Sequence, residues 1–150
     1  MVAGEWFAAD RLAWEFDHRY PDSPIGELNR LGAAQLPPEV AAVLEEALSI
    51  AASSDGAFDP TVLPLVGLFK EVRKTGKLPD QEKVKEILQV VDYRHIVVED
   101  RTVKFSRPGV TATLDAVAKG YIVDEGIKVL LGAGCIHLPE KVGVGHGYFV

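Results

Sequence analysis

Three stretches of the chain gather hydroxyls, carboxylates and a lysine in patterns that packing alone explains poorly: YPDSPIGELN at 20–29, SSDGAFDPTVLP at 53–64 and TLDAVAKGYIVD at 113–124. In the second, Asp59 and Thr61 put an acceptor and a hydroxyl beside the ring of Phe58, on backbone stiffened by Pro60 and Pro64. Such a surface could hold a nucleoside by stacking and hydrogen bonding. In the third, a strand is predicted to give way to a helix, and the backbone groups near a helix start are free to meet a ligand. Lys119 is predicted in the first helical turn, where the helix dipole mildly disfavours a cation. A lysine there makes better sense facing phosphate oxygens, and Gly120 would let a ligand come close to the backbone. Each stretch also has a plain reading. Residues 20–29 would be a connector between helices, 53–64 a helix stop with a proline-rich connection, and Lys119 a solvated surface residue.

The elements that must carry these stretches follow from periodicity. Ala9, Leu12, Ala13 and Phe16 fall at helical spacing and predict a helix over 4–17. Pro21 and Pro24 are expected to interrupt helix, with Asp22 and Ser23 suited to a turn or a cap. After Pro37 and Pro38, the apolar residues Val40, Val43, Leu44, Ala47, Leu48 and Ala51 mark a second helix, which stops at 53–56. The stretch 56–69, with prolines at 60 and 64, is expected to be irregular or a short helical turn. Asp80 is predicted to cap a third helix with an apolar face of Val84, Ile87, Leu88 and Val91. Residues 95–98 and 102–105 read as a hairpin, 110–114 as another strand, and 117–131 as a helix ending in Gly132-Ala133-Gly134. This order predicts an α+β fold, helices packed on a mostly antiparallel sheet, as one partial domain with a divergent tail at 135–150.

Bulk properties exclude several functions. At 150 residues the chain can bury a real core. Its net charge of −6 and its scattered lysines and arginines argue against a nucleic-acid partner. Cys135 stands alone, so neither an internal disulfide nor a cysteine metal site can form, and His18, His95, His137 and His146 lack ligand spacing. The acidic, aromatic N-terminus does not read as a signal peptide, and no apolar run reaches membrane-spanning length.

Taken in order, the three stretches resemble the FAD:protein FMN transferase family, first described as thiamine-biosynthesis lipoproteins. The family pattern Y-x-P-D-S-x-I-x-x-L-N is met by 20–29 with a small shift at the tyrosine. The pattern T/S-D-G-A-F-D-P-T-V-x-P-L is met by 54–65, and D-L-G-A-I-A-K-G-Y-A-V-D by 113–124. The resemblance implies FAD as substrate, FMN moved to a threonine of an acceptor protein, AMP released, and Mg²⁺ required. Some members instead hydrolyse FAD to FMN and AMP. It implies that Ala57, Phe58 and Asp59 touch FAD, that Lys119 contacts the flavin nucleotide, and that Ala116 offers its backbone carbonyl to Mg²⁺. Asn29 and Ser23 would help to shape the site, Thr61 would support its loop, and Thr113 stands at a further cofactor contact. Family members are often periplasmic or membrane-anchored.

The chain also departs from the family. Thr113 stands where the family has Asp, and Asp115 stands where it has a small residue, as if the acid had moved two positions. After Gly134 the tail CIHLPEKVGVGHGYFV matches none of the second-half motifs, which would supply further magnesium ligands, and the family's N-terminal strand has no counterpart. One carbonyl cannot hold Mg²⁺, which takes about six oxygen ligands. The expectation is therefore a member with little activity alone, completed by a partner chain or a second copy. The alternatives are an FAD-binding relative without turnover and an inactive fragment.

Overall fold

The computed structural model describes the backbone of residues 3–134 and the side chains of 9–134. Cys135, His137, His146 and the expected divergent tail lie outside the described residues.

The first helix, α1, spans Ala3–Phe16 and buries Leu12 and Phe16. A tight turn follows, and then a helix not expected from the prolines: α2, Pro24–Leu31. Pro24 occupies its first position, where a missing N–H costs nothing and the fixed φ suits a helix. Ser23 caps it, its Oγ accepting the Gly26 N–H at 3.0 Å while lying 2.7 Å from the Asp17 carbonyl it donates to. Ile25 and Leu28 are fully buried, and Gly32, at φ 74°, closes the helix by donating its N–H to the Leu28 carbonyl.

The chain then enters a short strand with no local sequence signal, β1 (Ala33–Gln35). Helix α3, Pro38–Ser53, buries Val40, Val43, Leu44, Ala47 and Ala51 on one face, as its spacing predicts. It is stopped by left-handed backbone at Asp55 and Gly56. The expected irregular stretch holds instead a 13-residue helix, α4, Leu63–Thr75. Pro64 sits in its first turn, so the proline again marks a start and not a break. Helix α5, Gln81–Leu88, is capped by Asp80, which accepts the Glu82 N–H. Val91 falls beyond its end, and none of its residues is buried.

A single 3-10 turn, Tyr93–His95, leads into the hairpin of β2 (Ile96–Glu99) and β3 (Thr102–Phe105). Strand β3 lies between β1 and β2, and both pairings are antiparallel. Val103 faces Ala34 on one side and Val98 on the other, and is fully buried. The last described helix, α6, spans Asp115–Gly132.

Leu28, Leu36, Val40, Leu44, Val103 and Leu114 meet in one core, with Phe16 of α1 edge-on to Tyr121 of α6 at 5.7 Å. Each fully buried aliphatic side chain here contributes roughly 1.5–3 kcal/mol. The architecture is α+β, with helices packed around a small antiparallel sheet. Helices α4 and α5 stand outside this core, Leu68 being the one buried residue between them. No described helix is long and apolar enough to cross a membrane.

Candidate functional site

The stretch 110–114 buries Val110, Ala112 and Leu114 alternately, which is why it reads as a strand. It joins no ladder, and at Ala112 a side chain takes the place of a neighbouring strand. The Ala112 N–H donates to Asn29 Oδ1 at 2.7 Å, and Asn29 Nδ2 donates to the Ala112 carbonyl at 2.8 Å. A carboxamide offers one acceptor and one donor side by side, as a facing peptide would. The next amide, Thr113 N–H, donates to the Pro60 carbonyl at 2.8 Å. All three sequence stretches therefore meet at one place, the start of α6.

Asp59 is committed to its own loop. Its Oδ1 accepts the Thr61 N–H at 2.8 Å and the Thr61 hydroxyl at 2.6 Å, and its Oδ2 accepts the Tyr93 N–H at 2.9 Å. Thr61 is fully buried, and the loop is fixed from below by this network. Phe58 packs part of its ring against the core, while Ala57 is exposed.

Helix α6 begins at Asp115, two residues before its expected start. That places Asp115 in the first turn, where an acid suits the helix dipole, and moves Lys119 into the second. In the second turn the helix dipole no longer disfavours a lysine. Lys119 instead lines an open cleft of about 470 Å³ between α1 and α6, with Phe16, Asp17, Arg19, Asp115, Ala118 and Ile122 among its walls. Apart from its own helix backbone and chain neighbours, Gly120 has no described atom within 4 Å of where a Cβ would stand, so packing does not require a glycine there.

Part of the polar rim of the cleft comes from Asp17 and Arg19 just after α1, residues that none of the three stretches includes. Arg19 donates to Asp115 Oδ2 at 2.9 Å and to Asp17 Oδ2 at 2.9 Å. The Asp115 carboxylate, and after it Asp17, holds the guanidinium above its ordinary range. His18 Nδ1 lies 3.2 Å from Thr113 Oγ1 and 3.6 Å from Asp115 Oδ1. These partners are more than ninety positions apart, and no local pattern links them. The displaced acid and the unusual threonine of the third stretch are thus the two residues that meet the His18-Arg19 pair.

Ala116 is exposed in the first turn of α6. Its carbonyl follows the helix axis and has one lone pair beyond the helical ladder. Among the described residues no group of three His, Cys, Asp or Glu stands close enough together to hold a metal ion. Asp59 is spent on N–H and O–H donors and Asp115 on Arg19. The described residues by themselves do not fit Mg²⁺.

The sequence model of the ApbE family matches residues 5–138. The chain is 31% identical over 119 residues to the FAD:protein FMN transferase of Treponema pallidum (strain Nichols), a match over 73% of this chain and 33% of that protein. It is 33% identical over 144 residues to the FAD:protein FMN transferase of Chlamydia muridarum, over 92% of this chain and 44% of that protein. Among solved structures, the Pseudomonas stutzeri flavinyl transferase ApbE in its apo form superposes with a TM-score of 0.77 at 23% identity, covering 89% of this chain and 44% of that one. The flavin transferase ApbE from Vibrio cholerae gives 0.75 at 23% identity, covering 89% and 46%. The chain thus spans a third to just under half of the length of these relatives.

Proposed function

We propose, from the premise that this chain belongs to the ApbE family, that it forms the front half of an Mg²⁺-dependent FAD:protein FMN transferase. The reaction is transfer of FMN from FAD to the threonine hydroxyl of an acceptor protein, with release of AMP. The observation that carries this reading is the meeting of all three stretches at the start of α6, through Asn29 to Ala112 and Pro60 to Thr113. In this reading Lys119 faces phosphate oxygens from the cleft, and the loop of Ala57, Phe58 and Asp59 contributes to FAD binding mainly by its shape. Asn29 and Thr113 act on the ligand through the backbone they fix, and Ala116 gives one carbonyl to a metal shell whose other oxygens come from outside the described residues. Bound there, Mg²⁺ would neutralise charge on the pyrophosphate. A second half of the transferase, on this polypeptide or on a partner, completes the site.

A second reading, an FAD-holding relative without turnover, is favoured by the commitment of Asp59 to intrachain bonds and by the lack of a metal cluster among the described residues. Titrating FAD against the chain with and without Mg²⁺ tells a binder from an inert chain, and assaying AMP and flavinylation of a threonine-bearing acceptor tells whether the front half turns over by itself. The chain alone is expected to bind FAD, weakened by Lys119→Ala, and to release little AMP. Robust AMP release lost in Lys119→Ala would show that the front half turns over unaided. Absence of FAD binding under both conditions would remove both readings.

A further inference from the structure

We propose that His18 is a positioning residue of this site: through Nδ1 it holds the Thr113 hydroxyl, and with it the first turn of α6, which carries Ala116 and leads to Lys119. The functional meaning rests on the nucleotide-binding reading above, whereas the mechanical link does not. Helix α6 has Leu114 at its N-cap and no side-chain capping bond from that residue. The Thr113 hydroxyl takes over part of that task by accepting the Asp115 N–H at 3.2 Å. A hydroxyl can accept one N–H and donate its own proton to an imidazole nitrogen at once. With the ring proton on Nε2, Asp115 N–H, Thr113 O–H and His18 Nδ1 form a chain of bonds that reinforce one another. The Thr113 backbone is anchored separately by Pro60, so His18 governs the direction of the hydroxyl and not the place of the chain.

The neighbouring tie from Arg19 to Asp115 is a weaker candidate for this work. Its two side chains are 61% and 46% exposed, whereas the His18 side chain is 13% exposed. Open ion pairs contribute little, so the better-buried imidazole contact decides how firmly the turn is held.

The test uses amide hydrogen exchange over residues 120–124 of α6, with α3 amides as internal control, together with FAD titration of the same variants. Asn places a polar atom near the position of the histidine Nδ1, and Gln places one near Nε2. His18→Ala, His18→Gln and Thr113→Val are expected to speed α6 exchange relative to α3 by roughly three- to tenfold, the scale of one net hydrogen bond. His18→Asn should restore most of the protection, and the His18→Ala/Thr113→Val double variant should be no faster than either single one. FAD affinity should fall several-fold in His18→Ala and recover in His18→Asn. Equal acceleration in α3 and α6, or no rescue by His18→Asn, would overturn the link. Fast α6 exchange with unchanged FAD affinity would overturn its role in the site. If the unaltered chain binds no FAD, the nucleotide reading and the site role fall together, while the exchange pattern still decides whether His18 holds α6.

Discussion

Asn29 shows how one side chain can do the work of a strand. Its carboxamide satisfies both backbone groups of Ala112, a fully buried residue. Asn29→Ala would leave a buried N–H and a buried carbonyl without partners, each costing about 1–3 kcal/mol. The expected loss is about 2–6 kcal/mol in urea unfolding, and on the proposed function FAD affinity should fall in parallel because the Thr113 junction loosens. Asn29 stands in a recognisable stretch, so the residue stood out in the sequence as one that would shape the site. Its bonding partner, 83 positions away, was not. Asp59 is similar. Its bonds to Thr61 follow from local spacing, but its acceptance of the Tyr93 N–H depends on the chain returning from α5.

At the level of elements, prolines start helices here where the sequence suggests interruption. Pro24 and Pro64 read as breaks in a linear scan, yet each opens a helix whose first turn tolerates a missing N–H. The structure also explains a glycine inside α2. A Cβ at Gly26 would stand 1.8 Å from the Tyr20 carbonyl oxygen, a backbone atom with little room to yield. Gly26→Ala normally favours a helix by about 1 kcal/mol. Here it is expected to destabilise by roughly 1–3 kcal/mol, the range for overpacking. Chemical denaturation would check the sign, and a stabilised variant would contradict the close approach of the 20–23 turn.

For the whole molecule, stability should be uneven. Helices α4 and α5 contribute one buried residue between them, while α3 lines the core with six. Their amides are expected to exchange faster than those of α3, and limited proteolysis should cut first in the exposed connection around Gly76–Pro79. Acid should also weaken the fold at a defined place. The Arg94 side chain, and after it the Arg94 backbone N–H, lowers the Asp92 carboxylate to about 2. A depressed carboxylate adds stability above its unfolded value, near 4, and that contribution fades as pH falls toward 2. The stability gap between the chain and Arg94→Ala should therefore be full at neutral pH and close between about pH 4 and 2, as read from denaturation midpoints.

Whatever depends on neighbours along the chain was legible in the sequence. Helical spacing placed α1, α3 and α6, alternation placed the hairpin, serine and aspartate placed caps, and three ordered stretches pointed to the family. Tertiary structure alone decided what depends on distant partners. It showed that 110–114 pairs with a side chain in place of a strand, that β1 finds its partner in β3, and that Lys119 lies beyond the first turn, facing a cleft. It also brought His18 and Arg19 to Thr113 and Asp115, the two residues at the start of α6 that break the family pattern. The physical reason is the same throughout. Propensity and capping act within a few residues and leave a local imprint, whereas a hydrogen bond across more than eighty positions leaves none until the core has closed.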